Sequence, residues 1–226
     1  MMEIPGIPYR FRNPDLLELA LTHRSVGKVN NERLEFLGDS ILSAVISARL
    51  YELKADNNEG ALSRLRARLV RGETLAQLAA DLSLGGFIHL GEGEMKSGGH
   101  HRNSILADAL EAILGAIYLD GGYEACAVVI LHVFKQQIAN LPDPEELKDP
   151  KTRLQEWLQG HAYPLPEYHL LKESGPPHNK QFLVEAVEAG ADIKVTGKGG
   201  SRQKAEQAAA MAALEFIADR QIRHKK

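Results

Sequence analysis

A single cysteine stands in 226 residues, Cys126 in the apolar run "YEACAVVILHVF". A disulfide scaffold and a cysteine zinc site are excluded, and Cys126 reads as a buried free thiol. No stretch reaches the ~18 consecutive apolar residues of a membrane span, and the start "MMEIPGIPYRFRNPDLLELA" lacks the basic-then-apolar order of an export leader. The expectation is a cytoplasmic protein with no membrane partner. No Gly-x-x-x-x-Gly-Lys-Ser/Thr loop occurs, "GEGEMKSGGHH" has the wrong spacing for one, and Gly-x-Ser-x-Gly and His-Glu-x-x-His are missing. The glycines of that stretch read as a mobile surface loop, and His100 and His101 within it as solvated. His23 in "LTHRS" follows a helix end, where it would cap the helix or contact a partner.

What is present is an ordinary globular composition, 44% hydrophobic and 25% charged, enough for one large domain or two modest ones. The net charge of −3 hides an asymmetry: residues 1–148 carry 15 basic against 20 acidic side chains, and residues 149–226 carry 12 against 10. The boundary falls at "NLPDPEELKDP", Asn140 to Pro150, where prolines and acids break every periodicity. Before it nearly every segment reads as helix. Leu16, Leu17, Ala20 and Leu21 follow the helix-start pair Asn13-Pro14, and 60–69 and 73–82 continue the pattern. Residues 31–53 are apolar on most of the circumference (Leu34, Phe36, Leu37, Ile41, Leu42, Val45, Ile46, Leu50), which predicts a helix buried on several sides. "SILADALEAILGAIYLDGGY" is a long apolar helix stopping at Gly121-Gly122.

After the boundary the pattern changes. "KTRLQEWLQG" reads as a short amphipathic helix; "EYHLLKES", "KQFLVEAVE" and "DIKVTGKG" read as strands separated by "GPPHN" and "EAGA"; and 202–220 reads as a helix with a small face of Ala205, Ala208, Ala209, Ala212 and Phe216. The predicted fold is two domains, an all-α domain followed by a small α+β domain of α-β-β-β-α order. Its limits are a helical domain over 1–140, a linker over 141–150, the α+β domain over 151–220 and a basic tail over 221–226.

Two sets of carboxylates share helix faces: Glu32, Glu35 and Asp39 at spacings of 3 and 4, and Asp108 and Glu111 at a spacing of 3. Both sit in helices that read as buried, where an uncompensated carboxylate is costly. Either arginines (Arg33, Arg64, Arg66, Arg68, Arg102) or a divalent cation such as Mg²⁺ should face them. In the second half, Lys198, Arg202 and Lys204 surround the start of the last helix, where free N–H groups and the helix dipole favour phosphate. His178 and Lys180 come from an inter-strand loop, and Thr152, Gln155 and Glu156 form a polar helix face. Three such regions on one side of a domain suit double-stranded RNA, read through 2′-hydroxyls and phosphates.

These residues carry a resemblance. "NERLEFLGDSIL" is similar to the signature of the ribonuclease III family, "SILADALEAILGAIYLD" resembles its second catalytic helix, and residues 151–218 resemble its double-stranded RNA-binding domain, in the order of the simple bacterial enzymes. The resemblance implies that Glu35, Asp39, Asp108 and Glu111 are catalytic metal ligands for Mg²⁺, with Mn²⁺ as a substitute, and that Glu59 lies near the site. It implies RNA contacts at Thr152, Gln155, Glu156, His178, Ser201, Arg202, Gln203 and Lys204, and a homodimer interface with Glu32, Phe36 and Leu37. The implied activity is hydrolysis of both strands of double-stranded RNA to 5′-phosphate and 3′-hydroxyl ends with short 3′ overhangs, in ribosomal and messenger RNA processing. The rivals are a non-catalytic double-stranded RNA-binding regulator on the same scaffold and a small-molecule phosphohydrolase.

Overall fold

The computed structural model describes residues 4–176 and 178–223. The chain divides into two compact units, Met1–Pro144 and Glu145–Lys226.

In the first unit Pro14–Leu21 (α1) begins at Asn13, whose side chain accepts from the Asp15 amide at 3.0 Å. Glu32–Leu53 (α2) has no side-chain cap, because Asn31 is turned inward: its Nδ2 donates to Ala20 O at 3.2 Å and its amide to Thr22 O at 2.9 Å. The start of α2 is thereby tied to the end of α1. Glu59–Val70 (α3) is capped by Asn58, and Gly72–Asp81 (α4) packs on the long helix Asn103–Val133 (α6). Between them lie two short 3-10 turns and Glu92–Lys96 (α5), and Lys135–Ala139 (α7) closes the unit.

The core centres on α6. From Ile105 to Ile117 it is buried at every position except Asp108 and Glu111, which are half-buried. With a mean hydropathy of 1.5 over its most apolar 18-residue window, α6 matches a membrane span by length and composition, and much of that apolar surface packs on α2, α4 and α1. The expected stop at Gly121-Gly122 is a kink: Gly122 has φ 83° and ψ −178°, and a second helical stretch follows it. Just before it, Asp120 accepts from Tyr9 Oη at 2.7 Å and from the amides of Arg12 and Asn13 at 2.7 and 2.9 Å, anchoring the N-terminal segment.

Two expectations are corrected here. The stretch "GEGEMKSGGHH" is packed at two of its glycines: a Cβ on Gly91 would lie 2.4 Å from Ser25 O and one on Gly99 2.9 Å from Glu94 O, whereas Gly93 and Gly98 would meet nothing within 4 Å. Helix α2 is not buried on all its apolar sides within one chain, since Phe36 is 78% exposed.

The second unit begins with Pro150–Gly160 (α8), capped by Asp149, and continues with an antiparallel meander, Glu167–Ser174 (β1), Gln181–Glu188 (β2) and Ile193–Gly199 (β3). Arg202–Arg223 (α9) lies across β2 and β3 and against α8. Leu154 and Leu158 of α8 meet Ile193, Ala210, Ala213 and Ile217 in the core. The buried side of α9 is Ala205, Ala209, Ala210, Ala213 and Ile217, while Ala208, Ala212 and Phe216 are half-buried, so the helix is rotated from the expected face. The expected side still lies close to β3, where a Cβ on Gly197 would sit 2.1 Å from Ala209 N and 2.5 Å from Ala205 O, while Ala210, Ala213 and Ile217 turn to Leu154 and Leu158 of α8. Residues 221–223 of the expected basic tail belong to α9, and residues 224–226 lie outside the described residues.

Candidate metal centre and nucleic-acid interface

Helices α2 and α6 cross with little room between their backbones. A Cβ on Gly38 would stand 1.8 Å from Glu111 O, and one on Gly115 would stand 2.2 Å from Leu34 O. Gly38 lies between Glu35 and Asp39 in sequence, and Gly115 one turn after Glu111. The crossing therefore carries acids of both helices to one place. Glu35, Asp108 and Glu111 each offer a carboxylate oxygen, all within 4.8 Å of one another, and all three residues are half-buried.

Their electrostatics follow from that geometry. Burial, then the charges of Asp39, Glu35 and Asp108, push the Glu111 carboxyl up to about 8. Glu35 is raised by burial and then chiefly by Asp108; Asp108 is raised by burial, with Arg24 and His23 opposing. Among the described residues, none of the arginines offered as alternatives forms an ion pair with these acids. Arg102 meets Glu94 at 2.6 Å, Arg66 donates to Ser47 Oγ at 3.2 Å, and Arg64 Nε donates to Pro144 O at 3.1 Å. Three clustered, half-buried carboxylates without a paired cation are a donor set that fits a hard, oxygen-seeking divalent ion.

The other expected residues fall at varying distances from this group. Asp39 is exposed and outside the three-acid group, although its charge acts on Glu35 and Glu111. Glu59 is the exposed first residue of α3; it accepts from Ser63 Oγ at 2.7 Å and lines a separate cavity with Ser47, Tyr51 and Arg66. Glu32 is exposed and 3.4 Å from Arg24 Nη1, and Leu37 is half-buried beside the exposed Phe36. His23 is turned inward: it is 8% exposed, and its Nδ1 lies 2.9 Å from Ser25 Oγ.

On the second unit Thr152, Gln155 and Glu156 form an exposed face of α8, with Glu156 bound to Lys148 Nζ at 2.8 Å. His178 is exposed in the β1–β2 turn, beside Pro177, which is outside the described residues. Ser201 Oγ accepts from the Lys204 amide at 3.2 Å and caps α9, whose first turn exposes Arg202, Gln203 and Lys204. Lys198 at the end of β3 is also exposed.

Sequence reasoning missed Gly38 and Gly115, whose absent side chains set the crossing, and Glu206 and Asp149, which hold α8 to α9. For the glycines a signal existed, since a glycine inside an apolar helix costs about 1 kcal/mol and demands a packing reason. For the cross-helix bonds of Glu206 and Asp149 none did, because Lys151 and Gln207 are distant from them in sequence.

Comparison with known proteins agrees with both units. Residues 13–138 match the family described as Ribonuclease-III-like, and residues 150–217 match the double-stranded RNA binding motif. Ribonuclease 3 of Alkalilimnicola ehrlichii is 53% identical over 215 residues, covering 95% of this chain and 94% of that protein. Ribonuclease 3 of Vibrio cholerae is 54% identical over 209 residues, covering 92% and 93%. A solved nuclease domain of ribonuclease III from Campylobacter jejuni, 42% identical, covers 61% of this chain and 99% of its own with a TM-score of 0.58. A half-buried acid cluster at a glycine crossing, a match to the double-stranded RNA binding motif later in the sequence and relatives aligned along almost the whole length lead to one conclusion: the chain belongs to the ribonuclease III family.

Proposed function

We propose that this endoribonuclease cuts both strands of double-stranded RNA in a divalent-metal-dependent hydrolysis, with Mg²⁺ as the ion and Mn²⁺ as a substitute. The products are 5′-phosphate and 3′-hydroxyl ends with short 3′ overhangs, and the setting is ribosomal and messenger RNA processing in the cytoplasm. The observation that carries the reading is the convergence of Glu35, Asp108 and Glu111 with no ion pair to any of them among the described residues, on a chain that also has a double-stranded RNA-binding unit.

Glu35, Asp108 and Glu111 would hold the ion, with Asp39 at the exposed rim completing the set from the solvent side. When bound, a divalent cation acidifies a water molecule and offsets charge on the scissile phosphate. The chain's own part is to orient and to manage protons. The three half-buried carboxyls are carried by two helices packed at close quarters, and Glu111, whose proton is held by burial and by the charges of Asp39, Glu35 and Asp108, would give that proton up to solvent when a divalent cation is bound. The second unit holds the duplex through Thr152, Gln155, Glu156, His178 and the Ser201–Lys204 turn.

The reading includes a homodimer. Phe36 projects from α2 at 78% exposure immediately after Glu35, an apolar surface that a second copy would cover. The Campylobacter jejuni domain is described as having a region involved in dimer formation.

The test is incubation of the purified protein with a long perfect RNA duplex in Mg²⁺ and in EDTA, followed by mapping of product ends. Short duplexes with 5′-phosphates and recessed 5′ ends, formed only with metal, are expected. Tight binding with no cleavage in Mg²⁺ or Mn²⁺ would replace this reading with that of a non-catalytic RNA-binding regulator.

A further inference from the structure

The starts of the two helices that bear most of the expected RNA contacts are clipped together by side chains. Asp149 Oδ1 accepts from the Lys151 amide at 2.8 Å as the cap of α8, and its Oδ2 accepts from Gln207 Nε2 of α9. Lys151 Nζ donates to Glu206 Oε2 at 2.7 Å, while Oε1 of the same carboxylate accepts from Arg202 Nε at 3.0 Å. The Glu206 side chain is 15% exposed and that of Arg202 is 62% exposed, so the carboxylate is enclosed while the guanidinium it steers faces water. Lys151 Nζ also lies 4.5 Å from the centre of the Tyr168 ring, which ties in β1. Hydrogen bonds of this kind are directional and fix a distance, which apolar contact alone does loosely.

We propose that Glu206 and Gln207 are positioning residues that set the spacing between the Thr152–Glu156 face of α8 and the Ser201–Lys204 start of α9, and so set the preference for RNA duplex over DNA duplex. The inference rests on the double-stranded RNA reading. Phosphates attract cations on any duplex. Contact with the 2′-hydroxyls of an A-form minor groove together with the phosphates of the neighbouring major groove requires contact regions held at one separation. Loosening the clip should therefore weaken RNA binding while leaving the general electrostatic attraction in place.

The experiment uses the full chain in EDTA, where cleavage is stopped, and measures affinity for an RNA duplex and a DNA duplex of the same sequence, about 20 base pairs long so as to exceed the ~16 spanned by one such domain. Glu206→Gln keeps the shape but removes the charge; Gln207→Met removes the donor to Asp149. Each is expected to lower RNA affinity by about 3–10-fold, the net effect of one ordinary hydrogen bond, and to leave DNA affinity within about twofold. Equal losses on both duplexes, or none on either, would overturn the inference. Circular dichroism checks folding, and if Glu206→Gln melts, Gln207→Met carries the same comparison. A wild-type protein indifferent to RNA and DNA would sink the underlying reading and this inference with it. A wild type that prefers RNA, with variants that keep its ratio, would sink the inference alone.

Discussion

Glu111 is where burial and like charge act together, and its chemistry should report on the site by two routes. Replacing it with alanine removes a carboxylate from a set of three, so cleavage in Mg²⁺ should fall by more than the roughly 10–100-fold that outer-shell changes cost. Duplex affinity in EDTA should stay close to wild type, because the RNA-binding residues lie on the other unit; a variant that cuts at the normal rate would contradict the assignment. The second route is stability. Glu111 is raised from 4.5 to about 8 in the folded chain, so the fold binds its proton more tightly than the unfolded chain does. That contribution is complete below about 4.5 and is lost as pH rises through about 8; Glu35 and Asp108, also raised, act in the same direction. In EDTA the melting temperature should fall between pH 5 and pH 9, with Glu111→Gln flattening the fall and Mg²⁺ reversing it for the wild type. A wild-type melting temperature that rises over that range in EDTA would refute the electrostatic account.

At the level of elements, the local signals were strong enough to be read without a structure. Strand limits at Glu167, Ser174 and Glu188 follow from β-branched and aromatic runs ended by turn formers, and α1 follows from Asn13-Pro14 and its leucines. Legibility stopped where two elements decide something jointly. The burial of Ala210, Ala213 and Ile217 of α9 depends on Leu154 and Leu158 of α8, and the grouping of Glu35 with Asp108 and Glu111, leaving the exposed Asp39 outside it, depends on how closely α2 approaches α6. Helical spacing places residues on a face but carries no information about the distance to the facing helix. Gly38→Ala tests that dependence. Alanine is better than glycine in an isolated helix by about 1 kcal/mol, yet here its Cβ would meet the Glu111 carbonyl at 1.8 Å, and a backbone atom cannot rotate aside. Overpacking should win by roughly 2 kcal/mol, a fall of about 4–8 °C in melting temperature for a chain of this size, together with a loss of cleavage as the acids separate. Gly72→Ala is the control, since its Cβ would meet nothing within 4 Å. Equal behaviour of the two variants would mean that α2 and α6 do not meet as closely as described.

For the whole molecule the question is how two units with different charge share one reaction. Residues 1–148 are net acidic, which suits an ion site and disfavours an RNA backbone, whereas residues 149–226 are net basic and carry the exposed Arg202 and Lys204. A chain ending at Pro144 should therefore keep the acid cluster and the core built around α6, both of which lie within Met1–Pro144. It should retain some cleavage at low salt, bind the duplex more weakly than the full chain, and show a much shallower fall of affinity with rising salt, because the counterion-releasing contacts of residues 149–226 are gone. Substituting Lys204 alone in the full chain should instead lower the slope of log affinity against log salt by about 1, the signature of one lost phosphate contact. Phe36 adds a constraint that neither unit's charge supplies. If α2 pairs with a second copy, Phe36→Asp should convert a dimer to a monomer in sedimentation, with Glu35, Asp108 and Glu111 still grouped on each chain. The monomer should then bind Mg²⁺ yet fail to produce paired cuts, separating possession of the ligand set from cleavage of both strands. A Phe36→Asp protein that sediments as the wild type does would remove the dimer from the proposal and leave each chain acting alone.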